Sequence, residues 1–405
     1  MILDESSRGF CFQEDPACVF VEMRQRLEVK PTWRVSRWQK DTGEVQPLGC
    51  SDGVTSLPAG IRGLACQATG ASPGFVISLV QGCPAVYGLV TERGPGQRRW
   101  RMRSARASVF PLQLERVAIV TGGTDGIGYS TAKHLAKLGM HVIIGGNNEG
   151  KAEEAVRKIK EETLNDEVEF LYCDLASMRS IRQFVQRFKM KKIPLHVLVN
   201  NAGVMMVPQG TTEDGFEEHF GVNYLGHFLL ANLLLDTLRE SGTPGCSARV
   251  VTVSSATHYV GELNLDDLQS SSSYSAHAAY AQSKLALVLF TYHLQALLEA
   301  TGSPVTANVA DPGVVDTDLY RHVFWGTRFI KKLFGRWLFK TPDEGAWTSV
   351  YAAVTPALEG RGGCYLYNEK ETKSLAVTYD LELQRQLWAR SCQMTGIADV
   401  TQEVV

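Results

Sequence analysis

Arg116-Val-Ala-Ile-Val-Thr121-Gly122-Gly123-Thr124-Asp125-Gly126-Ile127-Gly128 decides how this chain is read. Val117 to Val120 is an uncharged apolar run of the kind buried on both faces of a parallel sheet. Glycines follow at positions 122, 123, 126 and 128, and a helical apolar pattern then occupies Ile127–Gly139. Strand, glycine-rich turn and helix in that order bring the unsatisfied amides of a helix N-terminus to the turn. The spacing Gly-x-x-x-Gly-x-Gly is a variant of the dinucleotide fingerprint. Gly122 and Gly126 give the tight turn and let a pyrophosphate approach the backbone, while Gly128 lets the helix pack on the strand. Thr121, Thr124, Asp125 and Ile127 complete the loop and are expected to line a cofactor site.

Working outward, apolar runs alternate with longer helical patterns. Strands are expected at His141–Ile144, Val168–Tyr172, Leu195–Val199, Ala248–Val253, Val305–Val309 and Gly363–Tyr367. Helices are expected at Lys151–Thr163 and Met178–Phe188. This alternation predicts an α/β fold: a Rossmann-type doubly wound parallel sheet of about seven strands with helices on both faces. It assigns residues 115–375 to one catalytic domain and 376–405 to a tail packed on or near it. Residues 1–114 show no sustained period. They read as a poorly ordered extension that ends in a basic, linker-like cluster (Arg98, Arg99, Arg101, Arg103, Arg106). The sharper alternative for that cluster is contact with acidic membrane lipid.

Composition excludes several classes. The 405 residues are 44% hydrophobic and 21% charged, an ordinary globular balance. A net charge of −2 gives no field aimed at nucleic acid. The nine cysteines have no CxxC pair or regular spacing, so reduced thiols are expected and no metal site is assigned. The first twenty residues carry Asp4, Glu5, Arg8, Glu14 and Asp15 and lack a signal-peptide pattern. No run of 18 uninterrupted apolar residues suggests a transmembrane helix.

Two further positions face the expected cofactor. The second strand ends Ile144-Gly145-Gly146-Asn147, with no carboxylate for a ribose 2′-hydroxyl and no arginine for a 2′-phosphate. Asn147 suits either group, so NAD and NADP both stay open. Asp174, with Leu175 beside it, is placed to accept from an adenine amino group; the plainer alternative is a helix N-cap. The chemistry is expected at Tyr280-Ala281-Gln282-Ser283-Lys284, where residues four apart share one helix face. A tyrosine with pKa about 10 is a poor base near neutrality. A neighbouring ammonium and a cationic nicotinamide favour its phenolate. His258, three residues after Ser255, suggests a hydrolase, but no Gly-x-Ser-x-Gly surrounds that serine.

Taken in order, Thr121–Gly128, Asp174, Asn200-Asn201-Ala202-Gly203, Asn223, Ser254-Ser255, Tyr280-x-x-x-Lys284 and Pro312-Gly313 resemble the short-chain dehydrogenase/reductase family over residues 116–370, near its retinol-dehydrogenase-like branch. The resemblance implies that Tyr280 is the general acid/base and that Lys284 lowers its pKa and holds the nicotinamide ribose. It implies that Ser255 steadies the substrate oxygen, with Ser254 as the fallback, and that Asn223 holds a water in a proton relay. Asn201, Ala202 and Gly203 would flank the cofactor, and Pro312, Gly313 and Thr317 would sit beside its carboxamide and phosphate. The implied reaction is hydride transfer between NAD(P) and a lipophilic alcohol or carbonyl, polyprenol or dolichol first, retinoids or steroids next. A homodimer is a further family expectation. The intact set of four speaks against the rival reading, a cofactor-binding regulatory protein with little turnover.

Val323–Phe339 interleaves aromatic and aliphatic residues with Arg328, Lys331, Lys332 and Arg336. It reads as a substrate lid, or as an interfacial helix that admits a lipid from a bilayer. The expected location is cytoplasmic, or peripheral at the endoplasmic reticulum or lipid droplets.

Overall fold

The computed structural model describes residues 110–315 and 340–399, with the backbone of five short strands nearer the N-terminus. Val19–Arg24, Thr32–Trp38 and Val45–Leu48 form an antiparallel three-stranded sheet, and Ile77–Leu79 pairs with Val86–Gly88. The arginine cluster, Thr317 and the stretch 323–339 lie outside the described residues.

From Val117 the chain alternates strand and helix: β1 (Val117–Thr121), α1 (Gly126–Lys137), β2 (His141–Gly146), α2 (Glu149–Thr163), β3 (Val168–Tyr172), α3 (Met178–Met190) and β4 (Val197–Asn200). It continues with α4 (Gly226–Ser241), β5 (Ala248–Val253), α5 (Ala276–Ala300), β6 (Val305–Asp311), α6 (Pro342–Val354), β7 (Tyr365–Tyr367), β8 (Lys370–Thr372) and α7 (Leu381–Thr395). The sheet order is β8-β7-β6-β5-β4-β1-β2-β3. All neighbours are parallel except β7 and β8. The chain lays down β1, β2 and β3 toward one edge and β4 onward toward the other, so the strand order reverses between β1 and β4, which opens a crevice beyond their carboxyl ends.

The seven parallel strands are the ones the apolar runs predict. The antiparallel edge strand β8 was not expected, because Lys370-Glu371-Thr372 is polar and exposed throughout. A tight hairpin creates it: Asn368 and Glu369 both take positive φ, 51° and 61°.

Alternation along each strand divides the core. Val117 and Ile119 point to a cluster under α3, α4, α5 and α7, whereas Ala118 and Val120 point to one under α1, α2 and α6. Both sets are buried. Helix α7 seals the first cluster: Trp388 stacks on Phe290 with centroids 6.0 Å apart and meets Phe228 edge-on at 4.9 Å. Buried Arg249 ties β5 to the end of α6 through the carbonyls of Ala352 and Thr355 and an ion pair with Glu359 at 3.0 Å. No helix among the described residues is long and apolar enough to cross a membrane.

Candidate active site

The loop after β1 is shaped by steric necessity. Gly122 takes φ +65°, and a Cβ on Gly128 would lie 2.2 Å from the Gly122 carbonyl oxygen. Asp125 caps α1, its carboxylate accepting from the Gly126 amide at 2.7 Å. The remaining first-turn amides have no intrahelical acceptor and face the crevice end of β1.

Thr121 stands differently from its expected place on the cofactor. Its side chain is buried, and its oxygen accepts from the amides of Asn201 (2.9 Å) and Ala202 (3.0 Å). The Asn201 amide group in turn donates to the Thr121 carbonyl at 2.8 Å. Nδ1 of His227 lies 2.8 Å from the Asn223 carbonyl, which can only accept, so Nδ1 carries the proton. Nε2 then accepts from the Thr121 hydroxyl at 2.9 Å. Burial holds His227 down at about 4, so the ring stays neutral. Thr121 and His227 thus fasten the phosphate loop, the turn after β4 and the helix carrying Asn223 to one another. Nothing in the local sequence announces this role of His227, because its partner is 106 residues away.

Asn223 sits in a π-helical turn, His219–Leu225, that runs directly into α4. Buried Glu217 caps that turn, accepting from the amides of His219 and Phe220 and from His219 Nδ1. Such π turns recur at functional sites. The Asn223 side chain accepts from the Val204 amide at 2.7 Å and donates to the Val204 carbonyl and to Ser283 Oγ, both at 3.0 Å.

Helix α5 buries Tyr280 and Lys284 together, at 3% and 5% exposure. Lys284 Nζ donates to the Val253 carbonyl at 3.1 Å and lies 5.8 Å from the Tyr280 ring centroid. The ring of His219 meets Tyr280 edge-on at 6.1 Å. Burial lowers the Lys284 ammonium to about 8, against the raising effect of Asp311. An ammonium so near the phenol favours its phenolate. Of the two serines, Ser254 is buried and its hydroxyl is spent on the Lys284 carbonyl at 3.0 Å. Ser255 is half-buried, and its oxygen accepts from the Thr257 amide at 3.3 Å. Its proton remains free for a ligand, which favours Ser255 over the fallback.

The other expected residues gather at the same sheet edge. Asn147 and Asp174, at the ends of β2 and β3, bond to each other at 3.3 Å. Ser177, not Asp174, caps α3, so the plain N-cap reading does not hold. Leu175 is buried, and its backbone carbonyl packs against Gly226. Gly203 lies against Asn223 and Lys284, and Gly313 takes φ +76° with its amide on Asp311 at 2.8 Å. Helix-terminal amides, an amide–carboxylate pair and the Tyr–Lys pair form a donor set that fits a nicotinamide dinucleotide.

The model of the short chain dehydrogenase family matches residues 116–324. Human polyprenol dehydrogenase is 80% identical over 293 residues, covering 72% of this chain and 89% of that protein. Human retinol dehydrogenase 14 is 40% identical over 325 residues, covering 76% and 94%. The crystal structure of an uncharacterized protein from Mycobacterium paratuberculosis superposes with TM-score 0.58 at 35% identity, over 71% of this chain and 96% of that one. The chain therefore belongs to the short-chain dehydrogenase family and is an oxidoreductase that uses NAD or NADP.

Proposed function

We propose that residues 115–375 are the catalytic unit and that Tyr280, Lys284, Ser255 and Asn223 carry out the reaction on a lipophilic alcohol of the polyprenol type. The observation that carries this is the buried Lys284 ammonium held beside Tyr280 at the crevice. In the oxidative direction the Tyr280 oxygen takes the hydroxyl proton, and Ser255 donates a hydrogen bond to the same substrate oxygen. In reduction Tyr280 returns the proton to the carbonyl. A bound nicotinamide supplies or accepts the hydride. Lys284 holds the phenolate and the ribose hydroxyls, and Asn223 orders the path from Lys284 to solvent. The cofactor is held by Gly122, Thr124, Asp125, Gly126, Ile127 and Gly128, by Asn147, Asp174 and Leu175, by Asn201, Ala202 and Gly203, and by Pro312 and Gly313. Thr121 acts through the turn it fastens; Thr317 is included on its sequence position.

The polyprenol assignment rests on the names of the similar proteins and on a finer likeness to the dehydrogenase/reductase X-linked protein. Thr121–Gly128, Asn223-Tyr-Leu-Gly-His-Phe228 and Tyr365–Glu371 carry that likeness. A retinoid is the second reading, supported by the retinol dehydrogenase similarity. A bilayer-resident substrate suits a protein peripheral to the endoplasmic reticulum or lipid droplets. The test is turnover of purified protein on polyprenol, retinol and steroid alcohols, with NAD and NADP in turn. Oxidation of polyprenol supports the assignment, and oxidation of retinol alone moves it to the second reading. Cofactor binding without turnover on any alcohol would favour the regulatory reading.

A further inference from the structure

We infer that Asp311 is a positioning residue that sets the pH window of the reaction by standing as the buried counter-charge to Lys284. The inference rests on the catalytic reading above. Asp311 closes β6 and is 2% exposed. Alternation puts it on the same sheet face as Val309, which packs against Val288 of α5. Lys284 lies one turn before Val288 on that helix and hangs on the carbonyl of Val253, whose strand partner is Ala310, the residue next to Asp311. The carboxylate is held in place from two sides. Its Oδ1 accepts from the Gly313 amide at 2.8 Å and its Oδ2 from the Tyr365 hydroxyl at 2.7 Å.

The groups around the pair can be named. Lys284 stands beside Tyr280 on its own helix and within electrostatic reach of His227 on α4 and Asp311 on β6. Asp311 is bonded to Tyr365 on β7 and lies within electrostatic reach of Lys284, of His258 and Tyr259 in the turn after β5, and of Lys340 ahead of α6. Lys340 is engaged elsewhere, donating to the Pro312 carbonyl at 2.9 Å and to Asn368 at 2.5 Å. His258 Nδ1 donates to the Ser255 carbonyl at 2.8 Å and Nε2 accepts from the Leu375 amide at 3.2 Å, so that ring is neutral. Burial and Asp311 push the Tyr365 hydroxyl up, which keeps it a donor. Asp311 is thus the carboxylate that offsets the burial of Lys284.

Removing the charge makes Lys284 lose its proton at lower pH. The kcat–pH profile for alcohol oxidation should be measured for the natural protein, Asp311→Asn and Tyr365→Phe, with Tyr280→Phe alongside. In Asp311→Asn the alkaline limb moves to lower pH by on the order of one unit. Tyr365→Phe keeps the carboxylate and leaves the limb in place. An Asp311→Asn enzyme with lower kcat and an unmoved limb overturns the inference and leaves Asp311 a purely structural residue. Should Asp311→Asn not fold, Asp311→Ser also removes the charge and is read the same way. Turnover that survives Tyr280→Phe would instead remove the catalytic reading, whatever Asp311 does.

Discussion

The Thr121 hydroxyl sits at a junction: it accepts from two amides of the turn after β4, and its proton lies between His227 Nε2 at 2.9 Å and the Val199 carbonyl at 3.3 Å. Thr121→Val keeps the shape and leaves two amides without an acceptor. It should cost about 1–3 kcal/mol in urea unfolding and weaken cofactor binding. Lys284 shows the opposite trade. Its folded value of about 8 lies below the ordinary 10.5, so under pH 8 the ammonium is present in both states and the fold bears the burial. Lys284→Met should abolish turnover; it removes the burial cost of the ammonium but leaves the buried Asp311 carboxylate without its counter-charge, so stability at pH 7 should rise by clearly less than the roughly 3 kcal/mol that the shift alone would release. A gain of that full size would mean that Asp311 does not answer the Lys284 charge. Tyr280 and Lys284 were legible in the sequence because helix periodicity alone puts them on one face. Thr121, His227 and Asp311 were not, because their partners come from distant strands and helices and leave no local pattern.

Among the elements, the strands of the parallel sheet announced themselves through runs buried on both faces. Helices α6 and α7 did not. Helix α6 opens with a capping box, Thr341 and Glu344 bonding each other's backbone amides around Pro342. Helix α7 is polar on one side and buries Leu387, Trp388 and Cys392 on the other. Neither carries a site motif to direct attention to it. Yet α7 is needed to close the core over α4 and α5, and Tyr224 bonds Ser391 across that junction at 2.6 Å. Trp388→Ala should lower stability by about 3–5 kcal/mol in chemical denaturation. An effect under about 1 kcal/mol would show that α7 is a loosely attached tail.

At the level of the whole molecule, acid should act through neutral histidines, one buried and one half-buried. His227 and His196 are both held at about 4, against an ordinary 6.5, chiefly by burial. His196 Nδ1 accepts from the Val117 amide at 3.0 Å and has no room for a proton there. On acidification the unfolded chain takes up protons first, so stability falls between pH 6.5 and 4 and levels off below. His196→Gln should flatten the urea midpoint against pH over that window; an unchanged slope would place the acid sensitivity elsewhere. The fold was legible at this scale because one glycine-rich turn and the strand–helix alternation point to the same topology. Substrate class was legible only through the resemblance to known relatives, since it depends on surfaces that no local pattern specifies. The assignment of Tyr280 as the acid/base stands or falls on Tyr280→Phe, measured for kcat and for dissociation of NAD and of NADP together. Loss of turnover by about 10³-fold or more with cofactor affinity unchanged is the expected result. Turnover within about tenfold of the natural protein would contradict it and place the proton transfer on another group.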